Sequence, residues 1–493
     1  MHKKVATSFI CALVALLLLT SAALVADPPE IFEHDGFKYS VTTGGEIRIV
    51  EGPDSTDVVI PSEIDVKPVR YIGNSAFSGC SSIVSVSIPN TVSEIGMSAF
   101  RDCSSPESVD IEPGVAYIRD YAFYGCSSLK EISIPHGVLF INDNVFGQCG
   151  SLEEVTIPAS VGEIRGYAFW GCTSLQSILI PESVFSIDRT AFQDCDSLKE
   201  IGVSPLSSTY SSVGGVLFNK GGDTLVKFPL GLESESYAIP DDVTSIREYA
   251  FEGCNSLKSV VIPGSITSIA ERAFYNCCSL EHIVIPGSVK SIGDNAYGWC
   301  QSLASVEIED GVESIGEGAF SLAGLKDISI PGSVKSIGAE AFFYCTSLES
   351  VEIHDGVESI GEGAFDTTTK LRAICIPATV TSMGESVFNQ CHSLDHIRFL
   401  GDAPQVDGDC LSEVTEIVVY FEPDADGFTT PEWMGLRAMA YGSDGDAGDG
   451  PGGEPDGPRR DAPAGPGLDP ALLAAGAVLL LISMAAIILI RRR

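Results

Sequence analysis

Residues 146–169 read FGQCGSLEEVTIPASVGEIRGYAF, and this stretch decides the fold. Leu152, Val155 and Ile157 have the L-x-x-L-x-L spacing of a repeat strand. Val155 and Ile157 stand two apart and face one side, so Thr156 between them faces the other. Pro158 follows at once; lacking an N–H, it suits a strand end better than a ladder interior. Val161, Ile164, Ala168 and Phe169 then bring the chain back along a second wall, with the Phe filling the corner. About eight apolar positions per turn face a core that one turn cannot close.

Working outward, the corner aromatic returns at Phe77, Phe100, Phe123, Phe146, Phe169 and Phe192, then at Phe251, Phe274, Tyr297, Phe320, Phe342, Phe365 and Phe388. Each step is 23 residues except one of 22 (Phe320 to Phe342) and one jump of 59 (Phe192 to Phe251). A fixed period in this range means one unit stacked many times, each turn touching only its neighbours. The expectation is a β-rich solenoid of about thirteen turns, poor in helix, with residues lined up in columns. Pro106 stands where the strand Leu belongs and is expected to weaken its rung.

The phrases AFYGCSSLKEISIP (residues 122–135) and IPGSVKSIG (residues 285–293 and 330–338) resemble the BspA-like leucine-rich repeats of microbial surface proteins. The resemblance covers roughly residues 60 to 400. It implies secretion, surface display and binding to proteins or other cells, and it implies no enzyme activity. Periodicity alone implies none of these.

The rest of the chain divides around the repeats. Residues 1–26 read as a signal peptide, with Lys3 and Lys4 before an apolar run, or as an uncleaved anchor. Residues 27–62 suit an N-terminal cap built on a small hairpin, needed because the first rung would otherwise expose its core. The repeats run over 63–202 and 241–398, and the hairpin signal GGVLFNKGGDTLVKFP interrupts them within 203–240. Residues 305–320 and 350–365 differ at one position, so a two-turn unit of 45 residues reads as duplicated. Residues 399–442 suit a C-terminal cap, and the Gly/Asp/Pro-rich stretch 443–470 reads as an acidic disordered linker. Residues 471–490 form an apolar span long enough for one transmembrane helix. Arg491, Arg492 and Arg493 would stay cytoplasmic, placing the repeats outside as a single-pass surface protein. The same tail also reads as a processed sorting signal.

Signal and tail hold five of the 29 basic residues and none of the 67 acidic ones, leaving 24 basic against 67 acidic between them. So strong a negative balance argues against nucleic acid and anionic membrane surfaces as partners. It suits either solubility in a crowded layer or binding of cations. Of fifteen Cys, eleven stand three residues after the corner aromatic and read as a buried column of free thiols. Cys375, between Ile374 and Ile376, is expected to point outward and is the candidate reactive thiol.

No chemistry-bearing constellation stands out. His392 and His396 have a helical metal spacing in a stretch that reads as turn and strand. No cofactor, metal or catalytic residue is assigned. The candidate binding surface is the outward row of strand residues, apolar at Leu179, Val261 and Val284 and acidic at Glu307 and Glu352. An exposed apolar strip marks a contact site for a protein or cell-surface ligand; the alternative is a dry patch lying under the inserted hairpin. A passive structural role in the cell envelope is the competing functional reading.

Overall fold

A computed structural model of the protein describes residues 29–53, 55–408, 410–411 and 417–442. The expected signal peptide, acidic linker, apolar span and Arg tail lie outside them. The regular structure there is entirely strand, and among the described residues no helix is long and apolar enough to cross a membrane.

Two walls of short parallel strands stack along the solenoid. The front wall carries the L-x-x-L-x-L strands, such as Ser177–Ile180 beside Glu200–Val203, in register at one repeat. The back wall is made of two-residue strands such as Glu163–Ile164, flanked by Phe140–Ile141 and Ser186–Ile187. Between them the corner aromatics form a stacked file: Phe123 and Phe146 lie 5.8 Å apart, Phe146 and Phe169 5.7 Å, with rings tilted by 8° and 13°. Each ring is fully buried or nearly so. Burying a Phe side chain contributes about 1.5–3 kcal/mol, and offset stacking adds to it.

Among the described residues the front wall has seventeen strands, against about thirteen turns expected. The extra rungs lie where the Ala-Phe phrase is missing: Asp57–Val59, Ser236–Ala238, Val418–Phe421 and Leu436–Ala440. A rung needs a strand that can pair with its neighbour, and it can do without the corner aromatic. After Pro106 the pairing is uneven, with a single position, Ser108 beside Glu131, matched to the next rung. Pro106 is buried ahead of the strand Ser108–Ile111, which pairs at all four positions with Ser85–Ile88.

The interruption is built differently from a hairpin laid over a continuous stack. Tyr210–Val213 and Val216–Asn219 pair antiparallel, and Val216–Asn219 pairs with Thr224–Lys227. Thr224–Lys227 then joins the back wall, parallel to Ser245–Ile246. Successive residues face opposite ways in a strand. Leu217 and Val226 therefore enter the core of the first block, while Val216, Phe218 and Leu225 enter that of the second. The hairpin is a septum between two cores.

Candidate functional site

The front wall places all five candidate residues away from the core. Leu179 and Val261 are 62% and 63% exposed, so the inserted hairpin does not cover them. Val284 is half-buried, and Glu307 and Glu352 are exposed. The strip is not continuous, however. Leu179 lies opposite Gly202 on the last paired strands of the first block. Val261 and Val284 lie on neighbouring strands of the second block, and Glu307 is the partner of Val284. The septum separates the two groups.

Glu352 belongs to a small polar cluster. The Ser329 hydroxyl donates to its carboxylate at 3.2 Å and lies 3.0 Å from His354 Nε2. Glu352 meets that same Nε2, at 3.6 Å. In a serine–histidine–acid relay the acid holds the other ring nitrogen, so this imidazole is not set to take a proton from the hydroxyl.

A second feature lies at the corner between back wall and aromatic file, where the sequence reading assigned nothing. In the regular rungs five residues separate the last back-wall apolar residue from the corner aromatic, as from Ile187 to Phe192 and from Ile246 to Phe251. Phe228 stacks on Phe251 at 5.2 Å and takes the same place in the file, and Leu225 is in register with Ile246. Only three residues separate Leu225 from Phe228. This rung lacks two residues of its corner turn, and a notch opens between the rungs on either side.

Side chains reach across the notch. Arg189 pairs with Glu248, and Arg247 Nη1 donates to the Ile187 carbonyl at 2.9 Å. The resulting groove has a volume of about 690 Å³ and runs from Asp120 and Tyr121 to Glu248 and Tyr249. Its midpoint is built on Gly166. A side chain there would meet Asp143 Oδ1 at 3.2 Å, Thr190 Oγ1 at 3.5 Å and Asp188 Oδ1 at 3.6 Å, so three oxygens gather over an unfilled position. Thr190 ties the set together: its hydroxyl donates to Asp188 at 2.6 Å and accepts the Tyr167 N–H at 3.2 Å. The neighbouring cations Arg119 and Arg165 are engaged by Glu94 and Glu163.

Beneath the notch lies a buried polar seam. Lys227 occupies the column that holds Ala168, Ala191 and Ala250 in other rungs, and it is 4% exposed. Its ammonium donates to the Tyr249 carbonyl at 2.9 Å. Gln193 donates to Glu252 Oε1 at 3.2 Å, while Glu252 Oε2 and Gln193 Oε1 are buried acceptors with no partner. Burial pushes the Glu252 carboxyl up to about 7, against the pull of Lys227 and with a further push from Asp194. A proton on Glu252 would supply the donor that the orphaned acceptors lack. The sequence does carry a signal for this seam: Phe228 stands 23 residues before Phe251, but it follows Lys227 rather than Ala.

The profile of the BspA type leucine rich repeat region matches residues 55–175, 163–234, 227–345 and 313–421. The chain belongs to the BspA-type leucine-rich repeat family. Among solved structures, a leucine rich cell surface protein from Faecalibacterium prausnitzii A2-165 is 28% identical, with 77% of this chain and 97% of that one covered at a TM-score of 0.53. The pneumococcal vaccine antigen PcpA (19% identity, 80% and 94% covered, TM-score 0.54) shares the fold. So does a leucine-rich repeat protein from Eubacterium ventriosum ATCC 27560 (22% identity, 72% and 93% covered, TM-score 0.50). No curated protein matches the chain.

In this BspA-type solenoid the Cys column does more than fill space. Cys149 Sγ donates to the carbonyl of Phe123 on the preceding rung at 3.2 Å, and Cys172 does the same to Phe146 at 3.2 Å. Where the column holds Thr368 instead, its hydroxyl donates to Phe365 at 2.8 Å. The cysteines thus add a bond from one rung to the next to carbonyls that already accept an N–H, whereas Thr368 bonds within its own rung. Burial raises these thiols, that of Cys149 to about 12. Cys375, expected to be outward and reactive, is only half-buried, but burial raises its thiol too, against a weaker pull from Arg398. Its thiolate is therefore disfavoured.

Proposed function

We propose that this chain is a membrane-anchored protein whose repeats face outward and bind proteins or cells through the front wall. The observation that carries the reading is the exposure of Leu179 and Val261, two large apolar side chains left uncovered on the front wall, as Val59 is at its first strand. Apolar groups held in that way are favourable to bury against a partner. The signal at residues 1–26 and the apolar span 471–490 followed by three Arg support outward display on one anchor. The Faecalibacterium protein, described as a cell surface protein, is in keeping with that location.

The test is adhesion of cells displaying the full chain to host cells and immobilised matrix proteins. Leu179→Asp and Val261→Asp should abolish adhesion while surface display and melting stay the same. Adhesion unaffected by both substitutions would sink the front-wall reading. The near-identical stretches 305–320 and 350–365 favour a second reading, an envelope spacer whose length matters. Deleting one 45-residue unit (residues 305–349) leaves a spacer working and displaces any shaped site that spans the repeats.

A further inference from the structure

The notch is one end of a groove that runs on over Gly166, and a hydrogen-bonded set of side chains lines the groove there. Its chemistry limits what can enter. Asp143 and Asp188 stand beside Arg247 and the Arg189–Glu248 pair, so both signs of charge occur within one groove. A polyanion would meet the two Asp carboxylates, and a polycation would meet the guanidiniums; like-charge contacts of this kind are repulsive. A neutral ligand with many hydroxyls meets acceptors at Asp143, Asp188 and Thr190 and donors at Arg247 and Asn144, with neither repulsion.

An aromatic ring stands at the same place. Tyr167 lines the groove and is 41% exposed. Its ring meets Trp170 edge-on at 6.1 Å, and Trp170 is itself held by a 2.7 Å hydrogen bond from Nε1 to Asp194. Tyr167 is thus fixed from below and from its backbone, where Thr190 takes its N–H. The negative face of such a ring attracts the C–H face of a pyranose. The groove is open and mostly polar, with three tyrosines along it, a lining that suits a hydroxylated ligand better than an apolar one.

We propose that the groove is a saccharide-binding site, in which a neutral oligosaccharide stacks one ring on Tyr167 over Gly166 and gives its hydroxyls to Asp143, Asp188, Asn144 and, at the notch end, Arg247. The inference rests on the outward display proposed above, but not on the front-wall strip, which lies on another face of the rungs. Gly166 is the floor of the site, since any larger residue would occupy the position where the three oxygens converge.

The full chain, purified in detergent, is applied to an array of neutral gluco-, manno- and galacto-oligosaccharides beside sialylated and sulfated ones, and bound glycans are titrated by calorimetry. At least one neutral oligosaccharide should bind. Tyr167→Asn, which keeps a residue tolerant of the left-handed backbone there (φ 56°), and Gly166→Leu, which fills the floor, should each weaken it by about tenfold or more. Leu179→Asp should not change it. Near-UV circular dichroism reports whether Gly166→Leu still folds; if it does not, Tyr167→Asn decides. No binding to neutral glycans, binding to charged ones alone, or equal affinity in the variants that fold would overturn the proposal. Adhesion that stays sensitive to Leu179 in the same preparations would show that the groove alone had failed.

Discussion

Lys227 and Tyr249 are joined across a rung boundary by a 2.9 Å hydrogen bond from the Lys ammonium to the Tyr backbone carbonyl, in a column that Ala or Val fills in the other rungs. The ammonium is buried beside Glu252, whose carboxylate form it favours. Replacing Lys227 with Met keeps the bulk and removes the donor and the charge. The Tyr249 carbonyl keeps the Glu252 N–H at 3.3 Å but loses its shorter bond, a cost of about 1 kcal/mol. Carbon-detected NMR titration should also find the Glu252 carboxyl titrating higher in Lys227→Met, because the group opposing its rise is gone. An unchanged midpoint would place Lys227 outside the seam.

Glu252 makes the seam pH-dependent, with a definite sign. Its folded value, about 7, lies above the unfolded value of 4.5. The folded state therefore holds the proton more tightly, and the stabilisation is fully present below the unfolded value and lost as pH rises through about 7. Its size over that window is on the order of 3 kcal/mol. Hydrogen exchange of amides near residues 190–194 and 247–252 should be better protected at about pH 5 than at about pH 8. Glu252→Gln should remove the difference; protection that rises with pH would contradict the assignment.

Phe146 is fully buried between Phe123 and Phe169. Phe146→Ala should cost about 3–5 kcal/mol through lost burial and the cavity it leaves. Because each rung touches only its neighbours, the loss should appear as a separate early transition confined to adjacent rungs. A single transition with unaltered midpoint would refute the stacked file.

The Cys149 thiol is buried, raised to about 12, and donates to Phe123. Maleimide labelling of the native chain near neutral pH should leave it intact until the rung opens, so its rate follows local unfolding. Cys149→Ala should destabilise by about 1 kcal/mol by removing this bond between rungs, the Phe123 carbonyl keeping the Cys126 N–H. Rapid labelling in the folded state would show the thiol to be accessible.

Leu179 gains nothing from the core, being more than half exposed. Leu179→Asp should therefore move stability by no more than about 0.5 kcal/mol, read by chemical denaturation. A large loss would mean that this side chain is packed rather than presented.

The solenoid was legible in the chain because stacking forces the same kind of residue into the same place on every rung. Phe123, Phe146 and Phe169 are 23 apart in sequence and adjacent in the file, so periodicity and contact carry the same information. Outward positions followed from alternation, which is why Leu179 and Val261 could be named without coordinates. The notch could not be. Phe228 keeps the 23-residue step to Phe251, but the short corner shows only in the stacking of those rings and the pairing of Leu225 with Ile246. The pairing of Arg189 with Glu248, 59 residues on, follows from that missing corner. The separation of Leu179 from Val261 likewise depends on the hairpin turning alternate side chains into two different cores. A repeat is a local property, and sequence records it; a defect in the repeat acquires its shape only from the intact rungs packed on both sides.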